Sequence, residues 1–248
     1  MNEKTLLVEG AEKLDISLTN EQVDQFMIYK KLLIEWNKKI NLTAITDDEE
    51  VITKHFLDCL SLSKSIKMSE LKNLIDIGTG AGFPGLVVKI AFPHIDVTLV
   101  DSLKKRLNFL EEVIRDLGLK DIVCIHARAE DLGKEKIYRE KYDICASRAV
   151  AHLAVLCEYT LPFVKVGGFL LALKGQKLDE EIKESKNAVS ILGGKLEGVC
   201  DVEIPFTDIT HRIAKVKKIK KTEYKYPRKA GEPNKKPLGM IEQVDIKK

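Results

Sequence analysis

The first 70 residues place apolar side chains at the spacing of amphipathic helices. After the cap-like pair Thr19 and Asn20, apolar residues recur three and four positions apart from Val23 to Trp36, which predicts a helix of about four turns. Similar patterns predict one helix near residues 3–15 and another over about 49–66. We therefore predict an all-helical N-terminal extension over residues 1–70 that packs on the rest of the chain.

From residue 73 the pattern changes to short apolar runs separated by helix-like segments. The runs predict strands over 73–77, 96–100, 122–126, 142–146 and 168–174. The segments between them predict helices around 84–92, 103–117, 150–164 and 177–192. Two further strand-like runs cover 195–204 and 211–220, the second with the imperfect alternation of a strand near an edge. This order predicts an α/β, Rossmann-like domain over residues 71–248, with a mostly parallel seven-stranded sheet and helices on both faces.

Length and composition narrow the class of protein. The chain has 248 residues, 44% of them hydrophobic, which is enough for one main domain with an accessory part. No apolar run approaches the roughly 18 residues that cross a bilayer, and the first residues lack the basic-then-apolar order of a signal peptide. We therefore expect a cytoplasmic protein with no membrane partner.

The cysteines predict neither a disulfide framework nor a zinc site. They lie far apart, at Cys59, Cys124, Cys145, Cys157 and Cys200. No pair has the spacing of metal ligands, and no histidine stands at ligand spacing beside them. We expect reduced, mostly buried thiols and no bound metal.

The strongest chemical signal is the glycine-rich loop at residues 76–85, which follows the first predicted strand. Glycines at alternate positions, Gly78, Gly80 and Gly82, let the backbone turn tightly and approach a ligand at the carboxyl edge of the sheet. A dinucleotide-binding loop would need a third glycine where Phe83 stands, and a nucleoside-triphosphate loop would need Gly-Lys-Ser/Thr. The remaining pattern, which begins at Asp76, resembles the S-adenosyl-L-methionine loop of class I methyltransferases. The alternative is a merely flexible strand-to-helix turn.

Acidic residues follow the second and third predicted strands. Asp101 stands where a carboxylate can accept hydrogen bonds from both hydroxyls of a ribose, and it can also cap the next helix. Glu130 stands where such folds bind adenine, so that its carboxylate accepts from the exocyclic amine while Ala129 offers its backbone. A helix cap is the alternative interpretation there too.

The fourth predicted strand ends at Arg148. Methyltransferases that act on exocyclic amines typically carry an Asp/Asn-Pro-Pro-aromatic motif here, and those that attack pyrimidine C5 use a cysteine; neither pattern is present. An arginine suits a phosphate, a cofactor carboxylate or guanine O6. Guanine N7 already has an in-plane lone pair and needs no general base, so positioning and electrostatics could suffice. We predict this role for Arg148 and for Lys174, although Lys174 could equally be a solvated side chain.

Basic residues are concentrated near the end of the chain. From His211 onward, 13 Lys and Arg stand against four Asp and Glu, whereas residues 1–210 carry 28 against 34. Such a local cationic segment favours contact with a polyanion, although a solvated tail has the same composition. The proline- and glycine-rich segment 227–233 predicts a loop with limited backbone freedom. The side chains predicted to hold RNA phosphates are Lys217, Lys218, Lys220, Lys221, Arg228, Lys229, Lys235 and Lys236.

Seven short motifs, taken together, are similar to those of one family. They occur at residues 41–45, 55–58, 76–85, 101–106, 129–130, 147–149 and 226–238. With them the chain resembles, over about residues 20–238, the RsmG family of bacterial small-subunit rRNA (guanine-N7) methyltransferases, formerly called glucose-inhibited division protein B. The resemblance implies methyl transfer from S-adenosyl-L-methionine to N7 of guanine 527, in the 530 loop of 16S rRNA, with S-adenosyl-L-homocysteine as the second product.

The resemblance also implies a set of cofactor-binding residues. Together with the loop residues Asp76, Gly80 and Gly82, these are Gly78, Phe83, Asp101, Ser102, Leu103, Ala129, Glu130 and Arg148. The implied partner is 16S rRNA or a 30S assembly particle. No heptad repeat indicates a helix that would pair with a second chain, so we expect a monomer.

Two other functions stay open from the residues alone. A class I methyltransferase that acts on a small molecule or a protein would carry the same loop without needing the basic end of the chain. An RNA-binding or cell-division factor could retain the fold without catalysis.

Overall fold

A seven-stranded sheet forms where the sequence predicts alternating strands and helices. The computed structural model describes residues 2–148 and 151–239; motif residue Ala149 and the predicted domain end at residue 248 lie outside these ranges. The strands are β1 Asn73–Ile77, β2 Asp96–Asp101, β3 Ile122–His126, β4 Tyr142–Arg148, β5 Val164–Lys174, β6 Gly194–Glu203 and β7 Thr210–Lys218. Their order is β3-β2-β1-β4-β5-β7-β6, and β7 is antiparallel to both neighbours. The predicted fold class is therefore confirmed, and β7 lies one strand in from the edge.

Helices cover both faces because the central strands are apolar on both sides. Leu74 of β1 belongs to a core shared with the N-terminal helices, whereas Ile75 and Ile77 point into the opposite core. The helices after β1 are α5 Gly85–Ala91, α6 Lys104–Asp116, α7 Ala129–Leu132, α8 Leu153–Thr160, α9 Leu178–Ile191 and α10 Glu232–Lys235. Helices α5 and α6 pack in the core that contains Leu74, which we call the first core, and α7 to α9 pack on the other face of the sheet.

The N-terminal residues form helices that pack on the sheet. Helix α1 spans Glu3–Lys13, and α2 spans Asn20–Ile40, longer than the predicted four turns. Thr19 and Gln22 form a reciprocal capping box at the start of α2, which satisfies two backbone N–H groups. Phe26, Tyr29 and Leu33 of α2 are fully buried in the first core.

The predicted helix over 49–66 is divided into pieces of different pitch. They are α3 Asp48–Val51, a π-helical turn Ile52–Leu57, α4 Asp58–Leu60 and a 3₁₀ turn Ser61–Lys64; a second 3₁₀ turn covers Met68–Glu70. In the π-helical turn the N–H of Asp58 donates to the carbonyl of Thr53, five residues back. The carbonyl of Lys54 is thereby left available for a partner outside the helix, which apolar periodicity cannot reveal.

The antiparallel direction of β7 divides the basic segment between two edges of the sheet. Arg212 pairs with Lys174 at the carboxyl end of β5, and Lys217 pairs with Phe169, which itself pairs with Ile144 near the start of β4. The end of β7 and the lysines that follow it therefore lie at the edge opposite the glycine loop. Ile219 and Lys220 stay there, since both N–H groups donate to the Gly193 carbonyl beside β6.

After β7 the chain returns across α7 and α8 towards the carboxyl edge. The buried Arg139 holds this return through hydrogen bonds to the carbonyls of Gly133, Thr222, Glu223 and Tyr226. We call residues 226–236 the C-terminal strap. In it, the predicted loop continues into the short helix α10.

Two further features agree with the composition. Among the described residues, no helix is long and apolar enough to cross a membrane. All five cysteines are free, with Cys59, Cys145 and Cys157 buried and the other two partly so.

Candidate functional site

The glycine loop bends over the carboxyl ends of β1 and β2. Gly78, Gly80 and Gly82 adopt φ angles of +74°, +60° and +99°, which only glycine tolerates without strain. The N–H groups of Gly78 and Thr79 both donate to the carbonyl of Val100 in β2. The loop is therefore fixed to the neighbouring strand and presents backbone at the edge of the sheet.

Asp76 holds this loop from beneath and does not line a cavity. Its Oδ2 accepts from the Thr79 hydroxyl at 2.7 Å and from the Gly85 N–H at 2.8 Å. Burial raises the pKa of Asp76 to about 7, although these two hydrogen bonds oppose the shift. Asp76 was predicted to bind the cofactor. In the structure its carboxylate instead fixes the shape of the glycine loop.

Two cavities meet at this edge of the sheet. The first, of about 460 Å³, lies over the ends of β1 to β3, and we call it the strand-edge cavity. The second, of about 520 Å³, lies between the glycine loop, the N-terminal helices and the β6–β7 turn, and we call it the helix-side cavity. Gly78, Arg106 and Arg148 line both, so the two cavities are neighbours across these side chains.

The predicted cofactor residues are divided between the two cavities. The strand-edge cavity is lined by Gly78, Asp101, Ser102, Ala129, Glu130 and Arg148. Gly80 and Phe83 line the helix-side cavity, together with Gly78 and Arg148. Asp76, Gly82 and Leu103 line neither. Leu103 instead donates its N–H to Asp101, and Gly82 packs against Tyr29 and Leu86.

Asp101 is buried with hydrogen bonds to both of its oxygens. Oδ2 accepts from the Gly80 N–H at 2.9 Å, and Oδ1 accepts from the Leu103 N–H at 2.9 Å. The carboxylate does not cap α6, which begins after Leu103 without a side-chain cap. Oδ2 also accepts from Nη1 of Arg106 at 3.3 Å, so the remaining acceptor capacity of the carboxylate lies on Oδ1, which can accept a second hydrogen bond.

Glu130 ties the strand-edge cavity to the C-terminal strap. Its Oε1 accepts from the N–H of Gly231 at 3.0 Å, and Gly231 and Asn234 both line the cavity. Sequence reasoning missed both of these lining residues. The Tyr-Pro-Arg motif marked the segment but did not indicate where it docks.

Arg148 is the centre of a mostly buried network. Its Nη1 donates to Oδ2 of Asp58 at 2.9 Å and to the free Lys54 carbonyl at 3.2 Å, and its Nη2 contacts Nδ1 of His55 at 3.0 Å. The guanidinium also lies 4.6 Å from the centre of the Phe83 ring. Because a guanidinium only donates, Nδ1 of His55 must accept here. Burial and the Arg148 charge lower the pKa of His55 to about 4, which agrees with a neutral ring.

The N-terminal extension supplies half of this network. His55 stacks on Phe83 with ring centres 4.4 Å apart, and its Nε2 lies 2.8 Å from the Thr43 hydroxyl. Asp58 is buried and also bonds Nδ1 of His211 from β7. The motif at residues 55–58 contained His55 and Asp58 without a role for either. The sequence did contain a signal for Asp58, because it stands among apolar residues such as Leu57 and Cys59. A carboxylate in such a stretch is seldom buried without a partner, so a buried basic partner could have been expected.

Lys174 does not reach either cavity. Its amino group pairs with Oε2 of Glu181 at 2.7 Å and donates to the Ala151 carbonyl, on the side of α8 and α9. Its side chain is largely buried, so it is not solvated either. The structure brings Arg148 to the site and leaves Lys174 outside it.

The predicted phosphate-binding residues do not form one surface. Lys218 is fully buried, donating to the Leu161 carbonyl and to Thr222, and this removes it from a candidate RNA surface. Arg228 makes a bidentate ion pair with the buried Glu158: Nη2 donates to Oε2 at 2.7 Å and Nε donates to Oε1 at 2.9 Å. This pair anchors the strap. Lys217, Lys220 and Lys221 lie at the opposite edge of the sheet. The exposed basic residues of the strap are Lys229, Lys235 and Lys236, within a few residues of Gly231 and Asn234.

This arrangement is that of class I S-adenosylmethionine-dependent methyltransferases: a seven-stranded sheet with an antiparallel strand between β5 and β6, and a glycine loop after β1. A solved structure with similar architecture is TrmN from Thermus thermophilus. It superposes with a TM-score of 0.50 at 18% identity, over 68% of this chain and 53% of that one. At that identity the likeness concerns the fold.

Sequence comparison identifies the family. The profile of the GidB family, rRNA small subunit methyltransferase G, matches residues 22–208. A relative named ribosomal RNA small subunit methyltransferase G, from Acetivibrio thermocellus, is 55% identical over 95% of this chain and 96% of its own. Another of that name, from Alkaliphilus metalliredigens, is 51% identical over 96% of this chain and 100% of its own. The chain belongs to the rRNA small subunit methyltransferase G family.

Proposed function

We propose that this enzyme transfers a methyl group from S-adenosylmethionine to N7 of a guanine in the 530 loop of bacterial 16S rRNA, guanine 527, in the cytoplasm. Family membership supports the reaction class and the rRNA substrate. The observation that carries the proposal is the meeting of two cavities at Arg148, because one can hold a cofactor while the other admits an acceptor. A single chain supplies every side chain of this arrangement, so a monomer suffices.

The residues of the strand-edge cavity fit the cofactor. A Cβ built on Gly80 would meet only the Gly78 carbonyl, 4.0 Å away, so the loop leaves open space beside Gly78, which lines both cavities. Oδ1 of Asp101 offers an acceptor for a ribose hydroxyl, and Glu130 offers one for the adenine amine. Arg148 is the cation that suits the cofactor carboxylate. We assign these contacts, with the backbone at Gly78 and Ala129, to cofactor binding.

Methyl transfer to N7 requires little chemistry from the protein. The bound cofactor supplies an electrophilic methyl group: the N7 lone pair forms the new N–C bond, the S–C electron pair returns to sulfur, and the positive charge moves to the base without release of a proton. No general base is needed, so a neutral His55 is compatible with the reaction. The chain contributes orientation and exclusion of water. We assign the orientation of the reactants chiefly to Arg148. Lys174 takes no part, because the Lys174 amino group is paired with Glu181.

The RNA-binding surface is proposed to surround the mouth of the strand-edge cavity. Lys229 and Lys235 belong to the strap, close to the lining residues Gly231 and Asn234. Arg128, exposed before α7, lines the same cavity. These cations face the edge where the reaction would occur, and they would bind phosphates beside the target nucleotide of free rRNA or of a 30S particle.

Replacing Lys229 and Lys235 together with alanine should weaken RNA binding. Because two phosphate contacts are lost, the slope of log K against log salt should become less negative by about 1.4–1.8. The matched control is the pair Lys220→Ala and Lys221→Ala, which removes the same charge at the opposite edge and should leave the slope unchanged. Titrations at several salt concentrations measure both. Equal slopes for the two double variants would contradict this position of the RNA.

The function itself is tested by methyl transfer. Labelled S-adenosylmethionine is incubated with 16S rRNA and with 30S subunits from cells that lack the enzyme, and the product is mapped by cleavage at 7-methylguanine. Label on one guanine in the 530 loop is the expected result. Label elsewhere, or on neither substrate while the cofactor still binds, would overturn the assignment. Comparison of the two substrates shows whether free rRNA or the particle is preferred.

A further inference from the structure

We propose that the helix-side cavity binds the target guanine base after it has turned out of the RNA stack. This rests on the proposed function and assigns the acceptor of that reaction to a place on the protein. A stacked base cannot reach a buried methyl donor, so an enzyme of this kind needs a pocket for one extruded base.

The composition of the helix-side cavity suits a flat heteroaromatic ring. Apolar side chains from two separate elements form walls: Leu42 and Ile45 after α2, and Ile204 and Ile209 at the β6–β7 turn. Phe83 also lines the cavity, and His55 and Arg148 already pack on its ring. Among the polar lining residues, Arg148, Asp58 and His211 form one hydrogen-bonded group, and Lys54 and Arg106 add two more cations. Apolar walls with a few fixed polar groups are the usual means of recognising a flipped base.

The two elements that form the walls have no part in the strand-edge cavity. Among the described residues that line the latter, none comes from positions 41–58 or from 204–211. The candidate cofactor contacts at Asp101 and Glu130 are complete without these elements. Yet both elements meet at Asp58, which bonds Arg148 on one side and His211 on the other. Their convergence beside the cofactor residues therefore points to a second ligand.

Arg148 lets this cavity distinguish guanine from adenine. Its guanidinium carries donors only, and guanine presents the acceptor O6 beside N7, whose lone pair stays free to attack the methyl group. Adenine places an amino group where guanine has O6, so donor would face donor. Asp58 is a positioning residue in this account, because its buried carboxylate fixes the guanidinium between the two cavities.

The cavity can be filled from two sides without altering a polar group. Ile45→Trp and Ile209→Trp each add bulk at a partly buried wall position. The matched control is Ile137→Trp, the same substitution at a side chain that is 69% exposed and outside both cavities. Each variant is assayed for methyl transfer to the rRNA substrate of the wild type and, by calorimetry, for binding of S-adenosylhomocysteine.

We expect the two filling variants to lose methyl transfer by on the order of 10²-fold, because the acceptor is displaced, with cofactor affinity held within about twofold and the control unaffected. Transfer at the level of the control in both variants would overturn the inference. Parallel loss of cofactor binding would also overturn it, since the cavity would then belong to the cofactor. If the wild type itself places no methyl group on guanine N7, the proposed function fails; if it does, these variants test the pocket alone.

Discussion

Arg148→Ala should lower methyl transfer by on the order of 10²–10³-fold, the largest catalytic effect that we expect of a single side chain here. The guanidinium lines both cavities and carries the donors that we assign to the cofactor carboxylate and to guanine O6. Its removal also leaves the buried carboxylate of Asp58 with His211 as its remaining side-chain partner among residues 2–148 and 151–239. Breaking a buried ion pair in this way costs about 3–5 kcal/mol, so we expect a fall in unfolding free energy as well.

Arg148→Lys separates these two effects. A lysine keeps the positive charge near Asp58, but its three donors share one nitrogen and cannot reproduce the planar fork in which Nη1 contacts Asp58 and the Lys54 carbonyl while Nη2 contacts His55. We expect it to recover much of the stability while transfer stays low. Denaturant titration and single-turnover transfer measure the two quantities, with Arg115→Ala, which removes an exposed surface pair, as the control. Full activity in the lysine variant would show that charge alone is required.

Gly82→Ala should be more destabilising than Gly80→Ala in the glycine loop. A φ of +99° imposes about 1–2 kcal/mol of backbone strain on alanine. The new Cβ would also lie 2.8 Å from the Tyr29 hydroxyl and 2.8 Å from Cβ of Leu86, which adds about 1–3 kcal/mol of overpacking. Tyr29 cannot easily move, because its hydroxyl donates to the Ala81 carbonyl within the buried core.

Gly80→Ala is the matched comparison, since its φ is also positive while its Cβ would enter open space. We expect a smaller loss of stability there and a larger loss of cofactor affinity. Urea unfolding and calorimetry with S-adenosylhomocysteine distinguish the two variants. Equal losses of stability at both positions would mean that contact with Tyr29 does not limit residue 82.

Local patterns were sufficient for the strands and for the glycine loop. Each of the first five predicted strands contains a short apolar run, and the alternate glycines at 78, 80 and 82 adopt the positive φ angles for which glycine is suited. The π-helical turn at Ile52–Leu57 was not predicted, because its apolar spacing differs from that of an α-helix by only one residue. The turn leaves the Lys54 carbonyl to accept a hydrogen bond from Arg148. These two residues are far apart in sequence, so local spacing does not show the contact.

Charge patterning was the weakest guide to the site. Lys217 and Lys229 belong to one basic segment, yet the direction of β7 sends Lys217 to the edge opposite the glycine loop, and only the later return of the chain brings Lys229 back. Lys218 and Arg228 each have acidic or carbonyl partners that come from distant elements. Composition counts charges but does not reveal which of them the fold neutralises.

The C-terminal strap has a consequence for the order in which the protein becomes competent. A ribosome that has released everything up to the end of β7 has already delivered all seven strands and the glycine loop. The wall made by Gly231 and Asn234 has not yet emerged, and neither has the Arg228 that anchors it on Glu158. A nascent chain at that stage would therefore have the strands of the sheet without a complete strand-edge cavity, so the proposed cofactor site is completed only after the sheet has been synthesised.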